Sequence, residues 1–254
     1  MRNRIAVILA AGEGKRMRSP LPKVLHEVNG VPLLAHVLSL VRDAGLGRPV
    51  VVVGHGRKQV LSVIGPIWDC EFVVQPEQRG TADAVSRALD VLQDFHGTVV
   101  VLSGDVPLLR RETLDLLLRE HEEERRGMTL LTAELEDPTG YGRIVRDGTG
   151  NVRAIVEERD ASNEIRSIRE FNSGTYCFDA DALRSVLRSI GTDNEQRELY
   201  LTDAVSLLKS EGVSVGAVVA ADANEVLGIN TAEDLENTHR LIREREKRGN
   251  GEKE

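Results

Sequence analysis

A cluster of basic side chains follows a short glycine-containing turn near the start of the chain. Gly12 and Gly14 lie in the segment LAAGEGKRMRSPLPK, residues 9–23, directly after the apolar run at residues 5–9. Glycines let a backbone turn tightly and bring its N–H groups close to an anion. The basic residues of the segment are Lys15, Arg16, Arg18 and Lys23. Because the formal net charge of the chain is −8, this local positive charge favours an anionic ligand, and the layout is typical of phosphate binding.

Three interpretations of this loop compete. A P-loop needs GxxxxGK[ST], which these residues do not match. A dinucleotide-binding loop needs a third glycine or alanine three residues after Gly14, and that position is Met17. A solvated glycine turn with surface basic residues is the third interpretation, and a bare GxG would favour it.

Asp105 is the candidate metal ligand that the residues themselves indicate. It ends the apolar run TVVVLSGD, residues 98–105, which reads as a buried strand. Ligands of open parallel sheets bind outside the carboxyl ends of the strands. A carboxylate facing a basic phosphate cradle is what Mg²⁺ needs, because this ion takes few protein oxygens and binds substrate phosphates. The alternative is a turn or cap aspartate before Pro107.

The elements that must position these residues alternate between strand and helix in the first half of the chain. Continuous apolar runs predict strands at residues 5–9, 48–54, 71–76 and 98–105. Helices are predicted between and after them, at residues 32–44, 58–64, 81–92 and 111–126. This order predicts an α/β fold with a Rossmann-like, mostly parallel sheet flanked by helices.

The second half of the chain predicts a different order of strands and helices. Strand-like runs at residues 128–136, 142–147, 151–158 and 173–179 follow one another with few helices between them. They predict a small mixed or antiparallel subregion. Helices at 180–189 and 200–211, a strand at 213–220 and a final helix capped by Thr231 complete the pattern.

Length and composition exclude several classes of protein. The chain has 254 residues, enough for one large α/β domain. Aromatic residues make up only 3% and the net charge is negative, which argues against nucleic-acid binding. The chain contains no apolar stretch of membrane-spanning length and no convincing signal peptide. Cys70 and Cys177 lack CxxC spacing, so free thiols and a cytoplasmic location are expected.

The full string LxxGxGxRMxxxxPK resembles the signature of the sugar-1-phosphate nucleotidylyltransferases. Further motifs follow in the order of that family: QPEQRGTADA (75–84), LSGDVPL (102–108), GYGRI (140–144), IVEERDA (155–161), FNSG (171–174), LYLTD (199–203) and GIN (228–230). Within the family, the ordered set is similar to the uridylyltransferase domains of bacterial UDP-N-acetylglucosamine pyrophosphorylases, over about residues 4–248. The resemblance implies an enzyme that joins UTP and N-acetylglucosamine 1-phosphate into UDP-N-acetylglucosamine and pyrophosphate, for cell-wall precursor synthesis.

The resemblance also implies a role for individual residues. Catalysis falls to Arg16, Lys23 and Asp105. Nucleotide contacts fall to Leu9, Ala10, Ala11, Gly12, Lys23, Gln75, Gly80, Thr81, Ser103 and Gly104. Sugar contacts fall to Gly142, Glu157, Asn172, Tyr200, Thr202 and Asn230, and the Mg²⁺ ligands are Asp105 and Asn230. Taken singly, each of these residues also has a structural interpretation, such as a turn glycine for Gly142 or a strand-end cap for Asn172.

The chemistry implied by the resemblance needs no general base. A phosphomonoester has a second pKa of about 6 and is already largely a dianion at neutral pH. Its oxygen can attack the α-phosphate in line without losing a proton. This agrees with the absence of a convincing Ser/His/Asp or Cys/His arrangement in the sequence, and leaves positioning and charge neutralisation as the work of the protein.

Departures from the family pattern keep alternatives open. Arg79 and Asp83 stand where an apolar residue and a histidine or small residue are expected, and GTADA also resembles glucose-1-phosphate enzymes. Another sugar 1-phosphate, a non-catalytic nucleotide-sugar-binding homologue and a dinucleotide-dependent oxidoreductase are the rival functions. Hexapeptide repeats are absent, so residues 1–248 are expected to form the nucleotidylyltransferase domain, with a disordered tail at 249–254 and no left-handed β-helix. A homo-oligomer and a separate acetyltransferase partner stay open.

Overall fold

A computed structural model of the chain describes residues 3–251, with side chains described as far as residue 244. The strands are β1 Arg4–Ala10, β2 Glu27–Val28, β3 Val31–Pro32, β4 Val50–Val53, β5 Glu71–Val74, β6 Thr98–Ser103, β7 Met128–Glu134, β8 Arg143–Arg146, β9 Val152–Val156, β10 Glu170–Asp179 and β11 Val215–Val219. The α-helices are α1 Leu33–Asp43, α2 Arg57–Ile64, α3 Thr81–Leu89, α4 Arg111–Glu123, α5 Asn163–Arg166, α6 Ala180–Leu187, α7 Ala204–Ser210 and α8 Ala232–Gly251. Short 3₁₀ turns lie at Lys15–Met17, Lys23–Leu25, Leu201–Asp203 and Ala223–Val226.

One main sheet organises the molecule, in the strand order β11-β7-β10-β6-β1-β4-β5. The strands β4, β1 and β6 run parallel to one another, as do β5 with β4 and β11 with β7. β10 runs antiparallel between β6 and β7. The prediction of a mostly parallel α/β sheet flanked by helices is therefore confirmed.

The antiparallel part differs in extent from the sequence prediction. β8 and β9 form an antiparallel hairpin that joins the start of β10 through the pair Phe171 and Arg143. The run at residues 173–179, expected in the small subregion, instead belongs to β10 in the centre of the main sheet. Burial explains its place, since most of β10 is buried, as in a strand covered on both faces.

Helices cover both faces of the sheet. Successive side chains of β1 point to opposite sides, so Ile8 joins one core cluster and Val7 the other. The first cluster includes Leu38 of α1 and Leu117 of α4, and the second includes Val85 of α3. Because both faces are buried, the strands read as continuous apolar runs in the sequence.

α8 packs beside the glycine-rich loop. Leu235 and Ile242 of α8 contact a small cluster that includes Met17 and Ile229. The predicted cap is present, since the Asp234 backbone N–H donates to Thr231 Oγ1 at 3.1 Å. Of the expected tail at 249–254, residues 249–251 end α8, and residues 252–254 lie outside the described residues.

Two further predictions concern the whole described chain. Both Cys70 and Cys177 are free and buried, as the cysteine spacing predicts. None of the helices in residues 3–251 combines the length and the apolar character needed to cross a membrane.

Candidate active site

A cleft of about 320 Å³ opens at the carboxyl ends of β6, β1 and β5, of which β6 and β1 are neighbours and β5 is separated from β1 by β4. Its position is the one expected for a ligand site in an open α/β sheet. The cleft is lined by Leu9, Ala10, Ala11, Gly12, Lys23, Val24, Gln75, Gln78, Gly80, Thr81, Ala84, Ser103, Asp105 and Glu198. Most of the residues predicted to contact a nucleotide or its phosphates are therefore brought together in one cleft.

The glycine-rich loop approaches Lys23 closely. Gly14 has a φ of +65°, in the left-handed region that favours glycine. A Cβ atom at Gly14 would lie 2.7 Å from the Cβ of Lys23. Gly14 is thus required both for the turn and for the contact that holds the base of the Lys23 side chain.

Lys23, Asp105 and Asn230 form the polar centre of the site. Lys23 Nζ donates one hydrogen bond to Asp105 Oδ2 and a second, of 3.2 Å, to Asn230 Oδ1. The Ile229 backbone N–H donates to the Asp105 carbonyl oxygen at 3.0 Å, which joins the segment before α8 to the end of β6. The side chains of Lys23 and Asp105 are only 17% and 14% exposed, so their interaction is weakly screened by water.

The amide of Asn230 is oriented by its neighbours. Its backbone N–H donates to Asp234 Oδ2 at 2.8 Å, and its side-chain Nδ2 donates to the Gly228 carbonyl at 3.1 Å. These contacts leave Oδ1 facing the Lys23 ammonium.

The two oxygens beside the ammonium suit a small hard cation. Asp105 and Asn230 supply one carboxylate and one amide oxygen, the donor types that Mg²⁺ prefers. Within the part of the chain that the structure describes, no group of three or more His, Cys, Asp or Glu side chains could hold a metal. This small donor set fits Mg²⁺, which keeps water and phosphate oxygens as its other ligands.

Gln75 lines the cleft and is 4% exposed. Its Nε2 donates to the Gly80 carbonyl at 3.0 Å and to Asp83 Oδ2 at 2.9 Å. Gly80 has a φ of +112°, and a Cβ atom there would lie 2.4 Å from the Leu199 carbonyl oxygen. The turn that accepts from Gln75 therefore requires glycine.

A second group of predicted residues is joined by hydrogen bonds on the β8–β10 side. The Asn172 backbone N–H donates to the Gly142 carbonyl at 2.8 Å, and Thr202 Oγ1 donates to Glu157 Oε1 at 3.0 Å. A Cβ atom at Gly142 would lie 3.5 Å from Glu157 Oε2. Burial raises the pKa of Glu157, and the hydrogen bond from Thr202 opposes that shift.

Asn172 is also oriented within this group. Its Nδ2 donates to the buried Tyr176 hydroxyl at 2.7 Å, and its Oδ1 accepts from the Gly174 N–H at 3.2 Å. The amide therefore keeps one hydrogen and one lone pair for a ligand.

Eight predicted residues do not line the cleft. Three of them belong neither to the polar centre nor to the second group: Arg16, Gly104 and Tyr200. The other five are Asn230, Gly142, Glu157, Asn172 and Thr202. Arg16 is exposed, and its Nη1 lies near Gly140, 4.0 Å from the position of a Cβ atom there. The Gly104 N–H donates to the Leu9 carbonyl at 2.9 Å, a contact between the ends of two strands. Tyr200 is buried beside the turn Leu201–Asp203. Direct ligand contacts stay predictions for these residues and for all the other predicted site residues.

Sequence reasoning missed four residues of the lining: Val24, Gln78, Ala84 and Glu198. Gln78 Nε2 donates to the Ala11 carbonyl at 2.9 Å and so joins the glycine-rich loop to the segment between β5 and α3. Gln78 and Ala84 lie inside the motif at residues 75–84, so the motif itself carried the signal. The segment that contains Glu198 is held beside the cleft by a hydrogen bond from Leu201 N–H to Thr81 Oγ1 at 3.0 Å. This contact joins residues 120 positions apart, so no local sequence pattern indicates it.

Comparison with known proteins agrees with this geometry. Residues 5–224 match the family described as "Nucleotidyl transferase". "Bifunctional protein GlmU" of Bacillus cytotoxicus is 46% identical over 96% of this chain and 53% of its own length. The protein of the same name from Bacillus cereus (strain G9842) is 46% identical over 98% of this chain and 54% of its own. The chain thus spans about half the length of these curated relatives.

A solved structure shares the fold. It is a UDP-glucose pyrophosphorylase complexed with UDP-glucose, and it superimposes with a TM-score of 0.75 over 95% of this chain and 99% of that chain. At 16% sequence identity, this likeness supports the fold and not the substrate.

Proposed function

Because this chain belongs to the nucleotidyl transferase family, we propose that it is a uridylyltransferase that converts UTP and N-acetylglucosamine 1-phosphate into UDP-N-acetylglucosamine and pyrophosphate. The observation that carries the proposal is the Lys23 ammonium, which lines the cleft together with Asp105 and contacts the oxygens of Asp105 and Asn230. The 46% identity to proteins named GlmU supports the choice of substrates.

The proposed reaction is an in-line displacement. A phosphate oxygen of the sugar phosphate forms a bond to the α-phosphorus of UTP while the bond from that phosphorus to the β-phosphate bridging oxygen breaks. The electron pair leaves on pyrophosphate. No proton needs to be removed, because the phosphomonoester is largely a dianion above about pH 6.

The protein contributes charge and position. Lys23 reaches the cleft from the glycine-rich loop, where its ammonium would neutralise the phosphates, and the backbone N–H groups near Gly12 would bind phosphate oxygens. Asp105 and Asn230 would hold Mg²⁺. When bound, this ion supplies further positive charge to the α-phosphate and the leaving group.

The uracil base of UTP and the sugar of N-acetylglucosamine 1-phosphate have separate candidate sites. Gln75 and the Gly80 turn, which line the cleft, would receive uracil. The carboxylate of Glu157 and the remaining amide capacity of Asn172 suit the hydroxyl and acetamido groups of the sugar.

A pyrophosphate-release assay across a panel of nucleotides and sugar phosphates tests the proposal. We expect Mg²⁺-dependent release that is fastest with UTP and N-acetylglucosamine 1-phosphate. A clear preference for glucose 1-phosphate, ATP or dTTP would overturn the substrates while leaving the reaction class intact. Absence of release with every pair would overturn the reaction class.

A further inference from the structure

The structure assigns a specificity role to Asp83: we propose that its carboxylate fixes the amide of Gln75 so that the site accepts a base carrying an N3–H, as uracil does, in preference to cytosine. The inference rests on the proposed function and deepens it. Asp83 is one of the two positions at which the sequence departs from the family resemblance.

The orientation of the Gln75 amide follows from the chemistry of its partners. A carbonyl oxygen and a carboxylate accept hydrogen bonds and cannot donate them. Gly80 O and Asp83 Oδ2 lie 3.0 and 2.9 Å from the same terminal atom of Gln75. That atom is therefore the NH₂ nitrogen, and both of its hydrogens are used.

The other terminal atom of Gln75 is therefore an acceptor for the ligand. Gln75 lines the cleft, and among the described residues no group donates a hydrogen bond to its Oε1. Uracil carries a donor at N3, whereas cytosine carries a lone pair there. Gln75 Oε1 can accept from uracil N3–H, but it would face the lone pair of cytosine N3.

Asp83 is itself held in place by a second partner. It is 6% exposed and lies in the first turn of α3, where the helix dipole favours a negative charge. Arg87 Nη2 contacts Asp83 Oδ1 at 3.1 Å, while Oδ2 faces Gln75. The carboxylate thus has one oxygen for each neighbour, which allows the two contacts to be removed separately.

Three variants separate the role in base selection from a role in folding. In Asp83→Asn the carbonyl oxygen stays with Arg87, so the new NH₂ faces the NH₂ of Gln75, donor against donor, at almost unchanged volume. Asp83→Ala removes both contacts. Arg87→Gln is the matched control, because it removes the cation of the ion pair but leaves the contact between Asp83 and Gln75.

The experiment measures kcat/KM for UTP and for CTP with saturating N-acetylglucosamine 1-phosphate and Mg²⁺, with thermal melting of each variant alongside. Calorimetric binding of UMP and CMP, without sugar phosphate, gives a readout that needs no turnover. A general loss of folded enzyme lowers the apparent kcat/KM for both nucleotides by the same factor and leaves the ratio of the two values unchanged. A defect in the orientation of Gln75 changes the ratio.

We expect both Asp83 variants to lower the preference for the uracil nucleotide by about tenfold, the loss expected when one buried hydrogen bond is left unmade. Arg87→Gln should keep the wild-type ratio. The inference is overturned if both folded Asp83 variants keep that ratio, if Arg87→Gln lowers it equally, or if the wild type does not prefer UMP over CMP. If the wild type prefers UMP but transfers no uridylyl group, the proposed function fails while base selection stands.

Discussion

Lys23 and Asp105 form a partly buried ion pair although 82 positions separate them in the chain. Lys23 follows the glycine-rich loop and Asp105 follows β6, and the strands before them, β1 and β6, are parallel neighbours with Leu9 opposite Ser103. The pair places a phosphate-binding cation directly against a candidate metal ligand. Changes at either residue should therefore alter metal binding as well as turnover.

Asp105→Asn tests the role of the carboxylate. The two side chains have nearly the same size, so packing should survive, but the negative charge that would hold Mg²⁺ is lost. We expect turnover to fall by at least about 10²–10³, the usual effect of removing one preorganised electrostatic contact. Pyrophosphate release measured over a Mg²⁺ titration, together with a thermal melt, checks this. A variant with near-normal activity would make Asp105 a structural cap.

Lys23→Ala should respond differently to metal. Its turnover should also be slow, through lost phosphate neutralisation, and added Mg²⁺ should not restore it. In the absence of nucleotide, however, the variant should bind Mn²⁺ more tightly than the wild type, because no ammonium competes for the oxygens of Asp105 and Asn230. Electron paramagnetic resonance of free and bound Mn²⁺ measures this affinity. Equal or weaker Mn²⁺ binding by the variant would contradict the competition.

Glu157→Gln should raise the stability of the folded protein and weaken the binding of the sugar phosphate. Burial raises the pKa of Glu157, so the folded protein loses stability as the pH rises through that pKa. The variant should therefore melt at a higher temperature than the wild type at pH 8. The difference should shrink as the pH falls toward about 4, the ordinary range of a glutamate pKa.

The same variant should also change KM for the sugar phosphate. Loss of the carboxylate should raise KM for the sugar phosphate by roughly tenfold, the effect of one hydrogen bond to a charged group, and leave KM for UTP nearly unchanged. The wild-type KM for the sugar phosphate should rise at acid pH as Glu157 takes up a proton. The substrate phosphate also titrates, and it does so equally for both proteins. Comparing the pH profile of log KM for the wild type with that for Glu157→Gln therefore isolates the contribution of Glu157. Identical profiles for the two proteins would exclude Glu157 from the sugar site.

Gly14→Ala tests the contact between the loop and Lys23. Alanine would adopt an unfavourable positive φ and would also displace Lys23, whose Cβ lies 2.7 Å from the new methyl group. We expect a fall in kcat/KM of at least roughly tenfold, as for a misplaced catalytic group. Gly150→Ala is a matched control, because Gly150 has a φ of +85° with nothing within 4 Å of a Cβ atom there. It should lose about 1 kcal/mol of stability and keep its activity.

The part of the site that sequence reasoning predicts is the part that follows directly from strand ends. Ala10, Gln75 and Asp105 lie at or just after the carboxyl ends of strands, and parallel strands bring such residues to one edge of the sheet. Asp83 is different. Its approach to Gln75 depends on the Gly80 turn, which no period in the sequence describes.

Buried charge is the other feature that pattern reading misses. Arg143 is 1% exposed, although arginine side chains are almost never fully buried unless they are paired. Its guanidinium forms an ion pair with Glu158 at 2.9 Å and donates to the Arg166 carbonyl at 3.3 Å. Glu158 follows β9 and Arg166 ends α5. Both lie near Arg143 only when the hairpin of β8 and β9 is folded, so the sequence alone does not reveal these contacts.

The central place of β10 also determines when the sheet can close during synthesis. β6 is finished at residue 103, but β10, one of its two neighbours, begins only at residue 170. Until the ribosome has made that segment, the valine-rich β6 has an edge of unpaired backbone N–H and C=O groups, which is a template for misassembly. The main sheet therefore cannot be completed from the amino end onward, because its central strand is among the last to be made.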